Sequence, residues 1–450
     1  MRICLVNVLM LLCLCANAQA VEEGLPTLPG ASLGEVLFVA DDIYSSAAAE
    51  EDSAHPPTSK PEVAERRFQQ ARELCEQGDV AAALRMATLA LHADPNHEGA
   101  RGVLGYRRVG QFWAGKYAAR RLERDEIWNP EFGWIRSQDL PRYQAGERPF
   151  GKRWISAEDD AKRHTTINTG WEIRTDRFRV VTNHSRRDAS ELATRLEVLY
   201  QIWQQMFGDF YLDRAKLKPR FEGKVASSYR SRPFLVNYYR SREEYNGALR
   251  RQQPRIGITL GIYFDTTKTS HFFAGPDQDA GTIYHEAVHQ MFQESARSAR
   301  SVGALYNAWL TEGVACYFES LTERHEPSVG RFFTIGTPEA GRLPAAMHRR
   351  LVDDYYVPMA ELSGLGMSDL QRRPDIARLY SQSAGLATFL VHGRGGEYRP
   401  ALVKLLQLIY TGRDKPNSLE QLTGQSFADL DQQYREYLEG LKSLAATQPQ

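Results

Sequence analysis

The sequence predicts an α+β fold in two lobes, in which a small mixed sheet with one long helix is followed by a helical half. Three patterns support this prediction. Strand-like alternation occurs at Phe178 and again at Phe234. Between them, apolar residues from Leu192 to Phe207 recur at helical spacing. From Asp277 to Leu444 the spacing is almost entirely helical.

Length and composition indicate a globular protein with more than one folded unit. A chain of 450 residues is longer than a single hydrophobic core usually accommodates. Its hydrophobic share of 42% and charged share of 25% are those of average globular proteins, which argues against wholesale disorder. Lys plus Arg and Asp plus Glu are both 56, so net charge gives no reason to expect a nucleic-acid partner.

The first twenty residues have the layout of a cleavable signal peptide. Arg2 precedes an apolar stretch, and Ala18-Gln19-Ala20 follows as a small-residue cleavage pattern. We therefore predict a secreted or periplasmic protein with no membrane span in its mature chain, with an uncleaved anchor as the alternative. Cleavage leaves Cys75 and Cys316, which we interpret as two buried thiols, although one bridge between them stays open.

Three segments are predicted before the main domain. Residues 21–62 are predicted to be a flexible linker or a propeptide, because residues 41–62 mix acidic residues, prolines and small residues without periodicity. Residues 63–127 contain a helical hairpin whose spacing resembles one tetratricopeptide repeat. A single repeat cannot bury its own face, so the hairpin is expected to pack on its neighbours, and a protein partner at its surface is the alternative. Residues 128–164 are interpreted as an irregular connector packed by aromatic side chains.

The sheet of the main domain is predicted from short alternating runs. The runs at Phe178–Val181 and Phe234–Tyr238 predict two strands. A further strand is predicted over Ile256–Phe264, with His271–Phe273 as its hairpin partner. The domain as a whole is expected to cover residues 165–445.

His285 and His289 are four residues apart in a helical segment that Asp277 or Asp279 can cap. On a helix, two such imidazoles lie one turn apart on one face and can reach a single ion. Zinc takes nitrogen ligands at about 2.0–2.1 Å, so the pattern predicts a zinc site with Glu286 beside it. A solvated helix face that carries His, Glu and His by chance is the alternative.

The segment from Ala308 to Glu319 supplies a buried carboxylate. Glu312, Cys316 and Glu319 share one helix face. A separate apolar stripe is formed by Leu310, Val314, Phe318 and Leu321. Because burying an unpaired carboxylate costs several kcal/mol, an inward Glu312 requires a cation or strong donors.

Together, His285–His289 and the run Trp309–Glu319 resemble the gluzincin metallopeptidases. In that family the HExxH helix is followed by a helix with a glutamate as third zinc ligand. The run is similar to the aminopeptidase-like branch, and most similar to an uncharacterised secreted family of peptidase-like domains. The resemblance covers residues 165–445 and implies a two-lobed zincin-like domain with zinc as its cofactor.

The resemblance also implies roles for individual residues. His285, His289 and Glu312 are implied as zinc ligands. Glu286 is implied as the general base, which accepts a proton from the attacking water and passes it to the leaving amine. Tyr380 is implied opposite the metal as a donor to a developing oxyanion, with a packing tyrosine as the alternative.

The sequence departs from thermolysin-like members of the family at Cys316, where those proteins have an aspartate that orients a ligand histidine. Glu319 is the candidate for that contact. Cys316 is interpreted as a buried packing residue, with a soft metal ligand as the alternative. His271 and His325 are interpreted as surface histidines. By analogy with the family, the strand Gly261–Phe264 binds substrate backbone.

The sequence therefore predicts a secreted zinc-dependent peptidase whose substrate and cleavage mode stay open. One alternative is a catalytically inactive zincin-fold scaffold protein, with the helical hairpin as its binding surface. Another is a zinc hydrolase that acts on a non-peptide amide. Glu286 favours an enzyme, because a purely structural zinc site has no need of a general base.

Overall fold

The computed structural model describes residues 37–39, 60–224, 232–326 and 330–447. It contains helices and several small sheets, so the predicted α+β class is confirmed. The predicted signal peptide and most of the predicted linker lie outside the described residues. No helix in the described part of the chain is both long and apolar enough to cross a bilayer.

Two antiparallel helices begin the main described segment, α1 (Lys60–Gln77) and α2 (Val80–Ala93). Asp79 caps α2, because its Oδ1 accepts a hydrogen bond from the Ala82 amide at 3.0 Å. Asp209, far along the chain, also accepts from the amides of Val80 and Ala81, at 2.7 Å and 3.1 Å. The hairpin thus packs on the rest of the protein, as expected.

The segment that follows is more regular than the sequence predicts. It consists of short helices and three antiparallel hairpins: α3 (Glu98–Val103), β2 (Arg107–Val109), β3 (Phe112–Ala114), α4 (Lys116–Leu122), β4 (Glu126–Asn129), β5 (Gly133–Arg136), α5 (Leu140–Gln144), β6 (Glu147–Phe150), β7 (Arg153–Ser156) and α6 (Ala157–Ala161). The interpretation of residues 128–164 as irregular was wrong, because strands of four residues are too short for a period to emerge. Their aromatic packing is confirmed, with Tyr143 and Trp154 edge to face at 5.9 Å.

A mixed five-stranded sheet forms the next layer. In chain order its strands are β8 (Trp171–Arg174), β9 (Phe178–Thr182), β10 (Phe234–Tyr239), β11 (Ile262–Phe264) and β12 (Thr269–Phe273). The spatial order is β11-β12-β10-β9-β8, and β10 runs parallel to both of its neighbours. The helices among these strands are α7 (Arg186–Phe207), α8 (Arg214–Phe221) and α9 (Arg242–Leu249). The predicted strands at Phe178 and Phe234 are confirmed.

The hairpin of β11 and β12 was predicted correctly except that its first strand is shorter than expected. The two strands pair antiparallel, with Ile262 opposite His271, which confirms the partner. The strand does not begin at Ile256, however, because residues Ile256–Ile258 form a 3₁₀ turn. Ile258 is 79% exposed, so its apolar side chain does not belong to a buried strand face. The observed strand β11 lies at the edge of the sheet.

The C-terminal part is mostly helical, but it also contains a hairpin that the sequence analysis missed. Its helices are α10 (Ala280–Ser295), α11 (Ala308–Phe318), α12 (Leu343–Leu351), α13 (Met359–Ser363), α14 (Met367–Arg372), α15 (Ile376–Gly396), α16 (Arg399–Thr411), α17 (Ser418–Thr423) and α18 (Phe427–Thr447). The hairpin consists of β13 (Thr322–Glu326) and β14 (Gly330–Thr334). Strand β1 (Leu37–Val39), within the predicted linker, pairs parallel with β14.

One continuous apolar core joins the helical hairpin, the sheet and the C-terminal helices. Trp203 of α7 and Phe292 of α10 meet edge to face in it, with ring centroids 5.3 Å apart. The two cysteines of the predicted mature chain, Cys75 and Cys316, are both free and buried, as predicted. Helices α10 and α11 pack against each other in this core and carry the predicted site.

Candidate metal centre

Helix α10 presents both histidines of the predicted site on one face. Asp279 caps the N-terminus of the helix, because its Oδ1 accepts a hydrogen bond from the Thr282 amide at 2.8 Å. Ala287 and Val288 are buried against the core. His285 and His289 therefore point together toward α11, and their Nε2 atoms are 3.1 Å apart. Two nitrogens at this distance suit a shared ion.

Helix α11 brings a carboxylate to the same point from inside the core. Glu312 is only 7% exposed. Its Oε2 lies 3.5 Å from Nε2 of His285 and 3.7 Å from Nε2 of His289. The three side chains thus form a triangle of ligand atoms, contributed by two helices.

Close packing at two residues positions α11. Asn307 precedes the helix in a left-handed conformation with φ 51°, and its Nδ2 donates to Asp414 and to the Lys415 carbonyl, both at 2.9 Å. At Gly313, a Cβ atom would lie 2.6 Å from the carbonyl oxygen of Ser383 in α15. A residue with a side chain would push these helices apart, so glycine beside Glu312 sets the depth of the carboxylate.

The triangle fits a zinc ion. Zinc bound tetrahedrally at about 2.0–2.1 Å separates its ligand atoms by roughly 3.3 Å. The observed separations of 3.1, 3.5 and 3.7 Å lie close to that value. The donor set of two imidazoles and one carboxylate is one that zinc accepts. His285, His289 and Glu312 can therefore hold a metal ion.

The electrostatics of the triangle favour a charged carboxylate. Burial raises the pKa of Glu312, but His289 and His285 outweigh this effect and hold the pKa well below its ordinary value. Burial lowers the pKa of His285, but its contacts with Cys316, Glu312 and Glu319 outweigh burial and raise the pKa. The acidic side chains around His285 therefore favour a positive charge at this point, carried either by a proton on the imidazole or by a metal ion.

Glu319 and Arg342 support His285 from behind. Nδ1 of His285 lies 2.8 Å from Oε1 of Glu319, so the ring donates there and Nε2 is left as the electron-pair donor. Arg342 donates two hydrogen bonds to the same carboxylate, of 2.7 Å and 3.1 Å. The predicted contact of Glu319 is present in the structure. Arg342 was missed, because no sequence spacing links it to α11.

Cys316 also contacts His285, with its Sγ 3.8 Å from Nδ1. Its thiol is buried, and burial raises its pKa. His285, Cys316 and Glu319 therefore form a second group close enough to hold a metal. The two groups share one imidazole and use its opposite nitrogens, so the alternative role of Cys316 as a soft ligand stays open.

Glu286 lies beside the edge strand. Its Oε2 accepts a hydrogen bond from the backbone amide of Tyr263 in β11, at 2.8 Å. This contact fixes one carboxylate oxygen of the predicted base. It also places the base next to the strand that the analogy assigns to substrate binding.

Tyr380 belongs to the surroundings of the site. The guanidinium of Arg342 lies 5.6 Å from the centroid of its ring. Burial, with the nearby charge of Glu312, raises the pKa of the Tyr380 hydroxyl, which is therefore protonated at neutral pH. Its proton is available for donation.

The two histidines interpreted as surface residues differ. His325 is exposed on β13. His271 is 6% exposed, so that interpretation was wrong. Its Nδ1 lies 3.2 Å from the Tyr239 hydroxyl, and burial lowers its pKa to about 4. His271 is buried because every residue of β12 is covered on both faces of the sheet.

Replacement of the supporting carboxylate is expected to weaken metal binding. In Glu319→Gln, the amide oxygen can still accept from Nδ1 of His285 but carries no negative charge, so the hydrogen bond weakens and zinc affinity should fall roughly 10- to 100-fold. A competition titration with a chelating indicator measures this change. Glu339→Gln, an exposed carboxylate paired with Arg324, is the matched control and should bind zinc normally. Equal affinity in Glu319→Gln would refute the supporting role.

A protein-family model described as "Protein of unknown function (DUF1570)" matches residues 279–397. The matched segment starts at the cap of α10 and ends after α15. It includes all five predicted site residues: His285, Glu286, His289, Glu312 and Tyr380. No curated protein matches the chain.

Proposed function

We propose that this chain is a zinc-dependent peptidase of the gluzincin type that acts outside the cytoplasm. The observation that carries the proposal is the convergence of His285, His289 and Glu312 from α10 and α11, with their ligand atoms 3.1, 3.5 and 3.7 Å apart. In this proposal residues 165–445 form a two-lobed zincin-like domain, and the helical hairpin of α1 and α2 is a tetratricopeptide-like unit.

The proposed chemistry assigns one task to each residue. His285, His289 and Glu312 hold the zinc, which supplies a water acidified to a pKa of about 7. Glu286 accepts the proton of the attacking water and returns it to the leaving amine. The Tyr263 amide holds one oxygen of Glu286 in place. Tyr380 donates to the developing oxyanion.

The contact between Glu286 and β11 favours turnover over a purely structural role. A structural zinc site is closed by four protein ligands and needs no carboxylate poised beside it. Here three ligands converge, and a further carboxylate, that of Glu286, is held by the edge strand. An edge strand exposes unpaired backbone groups, to which an extended peptide can add by main-chain hydrogen bonds.

Metal removal tests the proposal directly. The purified full-length chain should contain about one zinc per molecule and should cleave members of a peptide library. A strong chelator should abolish cleavage, and added zinc should restore it. Absence of bound zinc after reconstitution would refute the metal site. Zinc-loaded protein that cleaves no peptide would favour the scaffold function, or a non-peptide amide as substrate.

A further inference from the structure

Apolar residues occupy every second position along β11 and the segment that leads into it, at Leu260, Ile262 and Phe264. All three are only partly buried, and all three pack against a small apolar cluster around Tyr245 of α9. We call these three residues the apolar strip. Just before it, Ile258 is 79% exposed. Proteins usually place charged residues on edge strands, so exposed apolar residues here indicate a surface that binds another chain.

The outer edge of β11 is open. β11 is the last strand in the sheet order, and no described strand pairs with its outer side. Of the described elements, β12 and α10 pack most closely against it. The Tyr263 amide donates to Glu286 instead of to β12, so it faces outward. Because the N–H and C=O of one strand residue face the same side, the Tyr263 carbonyl also faces this edge and can accept a hydrogen bond from an added chain.

The apolar strip and α10 lie on opposite faces of the sheet. Ser270 is opposite Tyr263 in the hairpin, and its hydroxyl donates a hydrogen bond of 2.8 Å to Gln290 of α10. Tyr263 therefore points toward α10, because residues directly opposite each other share a face. Ile262 and Phe264 point to the other face, because side chains alternate along a strand.

A peptide added to this edge has its side chains divided between the same two faces. The peptide residue opposite Tyr263 lies beside Glu286, the proposed base. Its two neighbours lie opposite Ile262 and Phe264 and direct their side chains to the apolar strip. Apolar side chains at these two positions lose contact with water, which favours binding. Polar side chains there would lose hydrogen bonds with water and gain no partner.

We propose that the apolar strip determines the substrate class: the peptidase cleaves extended segments in which two apolar residues flank the residue opposite Tyr263. Ile262 and Phe264 are the specificity-determining residues. The pattern of an apolar residue, any residue and a second apolar residue is the same in both chain directions, so it does not depend on which way the peptide runs. This inference rests on the proposed function, but the binding preference can be measured without turnover.

Fluorescence anisotropy with labelled octapeptides tests the preference on full-length, zinc-reconstituted Glu286→Gln, which should bind peptide without cleaving it. One peptide alternates Val and Ser. The other has the same composition but repeats Val-Val-Ser-Ser, so that no two valines are two residues apart. The alternating peptide should bind roughly tenfold or more tightly, because only it can present neighbouring valines to the apolar strip. Equal binding of the two peptides would overturn the proposal.

A charge variant locates the preference and separates it from misfolding. Ile262→Lys should weaken binding of the alternating Val-Ser peptide roughly tenfold and strengthen binding of a peptide that alternates Glu and Ser. Lysine is common on edge strands, and a misfolded chain would gain no such preference. Val352→Lys is the matched control, since Val352 is a 61% exposed residue at the end of α12. Unchanged affinities in Ile262→Lys, or equal changes in Val352→Lys, would refute the assignment.

The other possible occupant of the edge is a second copy of the chain, with β11 of each copy paired to the other. Sedimentation velocity at the concentration of the peptide titration distinguishes the two occupants. A monomer that binds the alternating peptide supports the proposal. A dimer that Ile262→Lys converts to a monomer would overturn it.

Cleavage by the natural chain separates this inference from the proposed function. If both octapeptides are cleaved at equal rates, the chain is a peptidase but the apolar strip does not determine its substrates. If neither is cleaved and the alternating peptide still binds more tightly, the strip binds peptides and the peptidase function is refuted. Faster cleavage of the alternating peptide, by roughly tenfold or more, is the result expected when both hold.

Discussion

Glu286→Gln is expected to lower peptide hydrolysis roughly 10²- to 10⁴-fold while zinc binding is retained. The amide is almost the same size as the carboxylate, and its oxygen can still accept the bond from the Tyr263 amide. It cannot accept a proton at neutral pH, however, so the proposed base is removed without disturbing the metal ligands. The measurement pairs initial cleavage rates with zinc content by mass spectrometry.

The matched control is Glu294→Gln, on the same helix. Glu294 accepts from Gln290 at 2.9 Å and does not belong to either group of metal-binding residues. Its variant should cleave at the rate of the natural chain. If Glu286→Gln keeps full activity with zinc bound, Glu286 is not the base. A joint loss of zinc and activity would instead show that Glu286 holds the site together.

Glu312→Ala is expected to lose the bound zinc. Zinc binding of about 10–16 kcal/mol shared among its ligands implies that loss of one ligand weakens affinity roughly a hundredfold or more. The carboxylate also provides the negative charge that lies against His285 and His289. Zinc content after dialysis against a weak chelator measures the effect, and hydrolysis should disappear with the metal.

Cys316→Ser distinguishes the two groups of metal-binding residues. If His285, His289 and Glu312 bind the zinc, this variant should retain it, because Cys316 contacts only the far nitrogen of His285. If zinc is held by His285, Cys316 and Glu319, the same variant should lose it while Glu312→Ala keeps it. The second pattern would overturn the proposed peptidase site.

Some elements could be predicted and others could not, for reasons that depend on their length and pattern. Helix α7 has 22 residues, over which a helical period is unmistakable. Strand β13 has five residues, Thr322–Glu326, and all of them are polar, so it shows no apolar face. It forms because β14 pairs with it, and β1 pairs with β14 in turn. Such pairing depends on distant partners.

The residues that hold the site in place also depend on contacts between distant segments. Arg342 reaches Glu319 from a separate segment, and Tyr263 donates to Glu286 from the edge strand. Neither contact has a sequence signal, because hydrogen bonds between distant segments follow no fixed spacing. The conformation at Asn307 and the close approach at Gly313 are likewise consequences of packing.

The sequence by itself determined the α+β class and the placement of His285 and His289 on one helix face, because helical geometry makes residues four apart neighbours. It also indicated that Glu312 is buried. Only the tertiary structure decided that Glu312 meets both imidazoles, that Arg342 secures Glu319 and that the Tyr263 amide binds Glu286. These features depend on how α10, α11 and their neighbours pack, and packing joins residues whose separation in the chain carries no information about their distance in space.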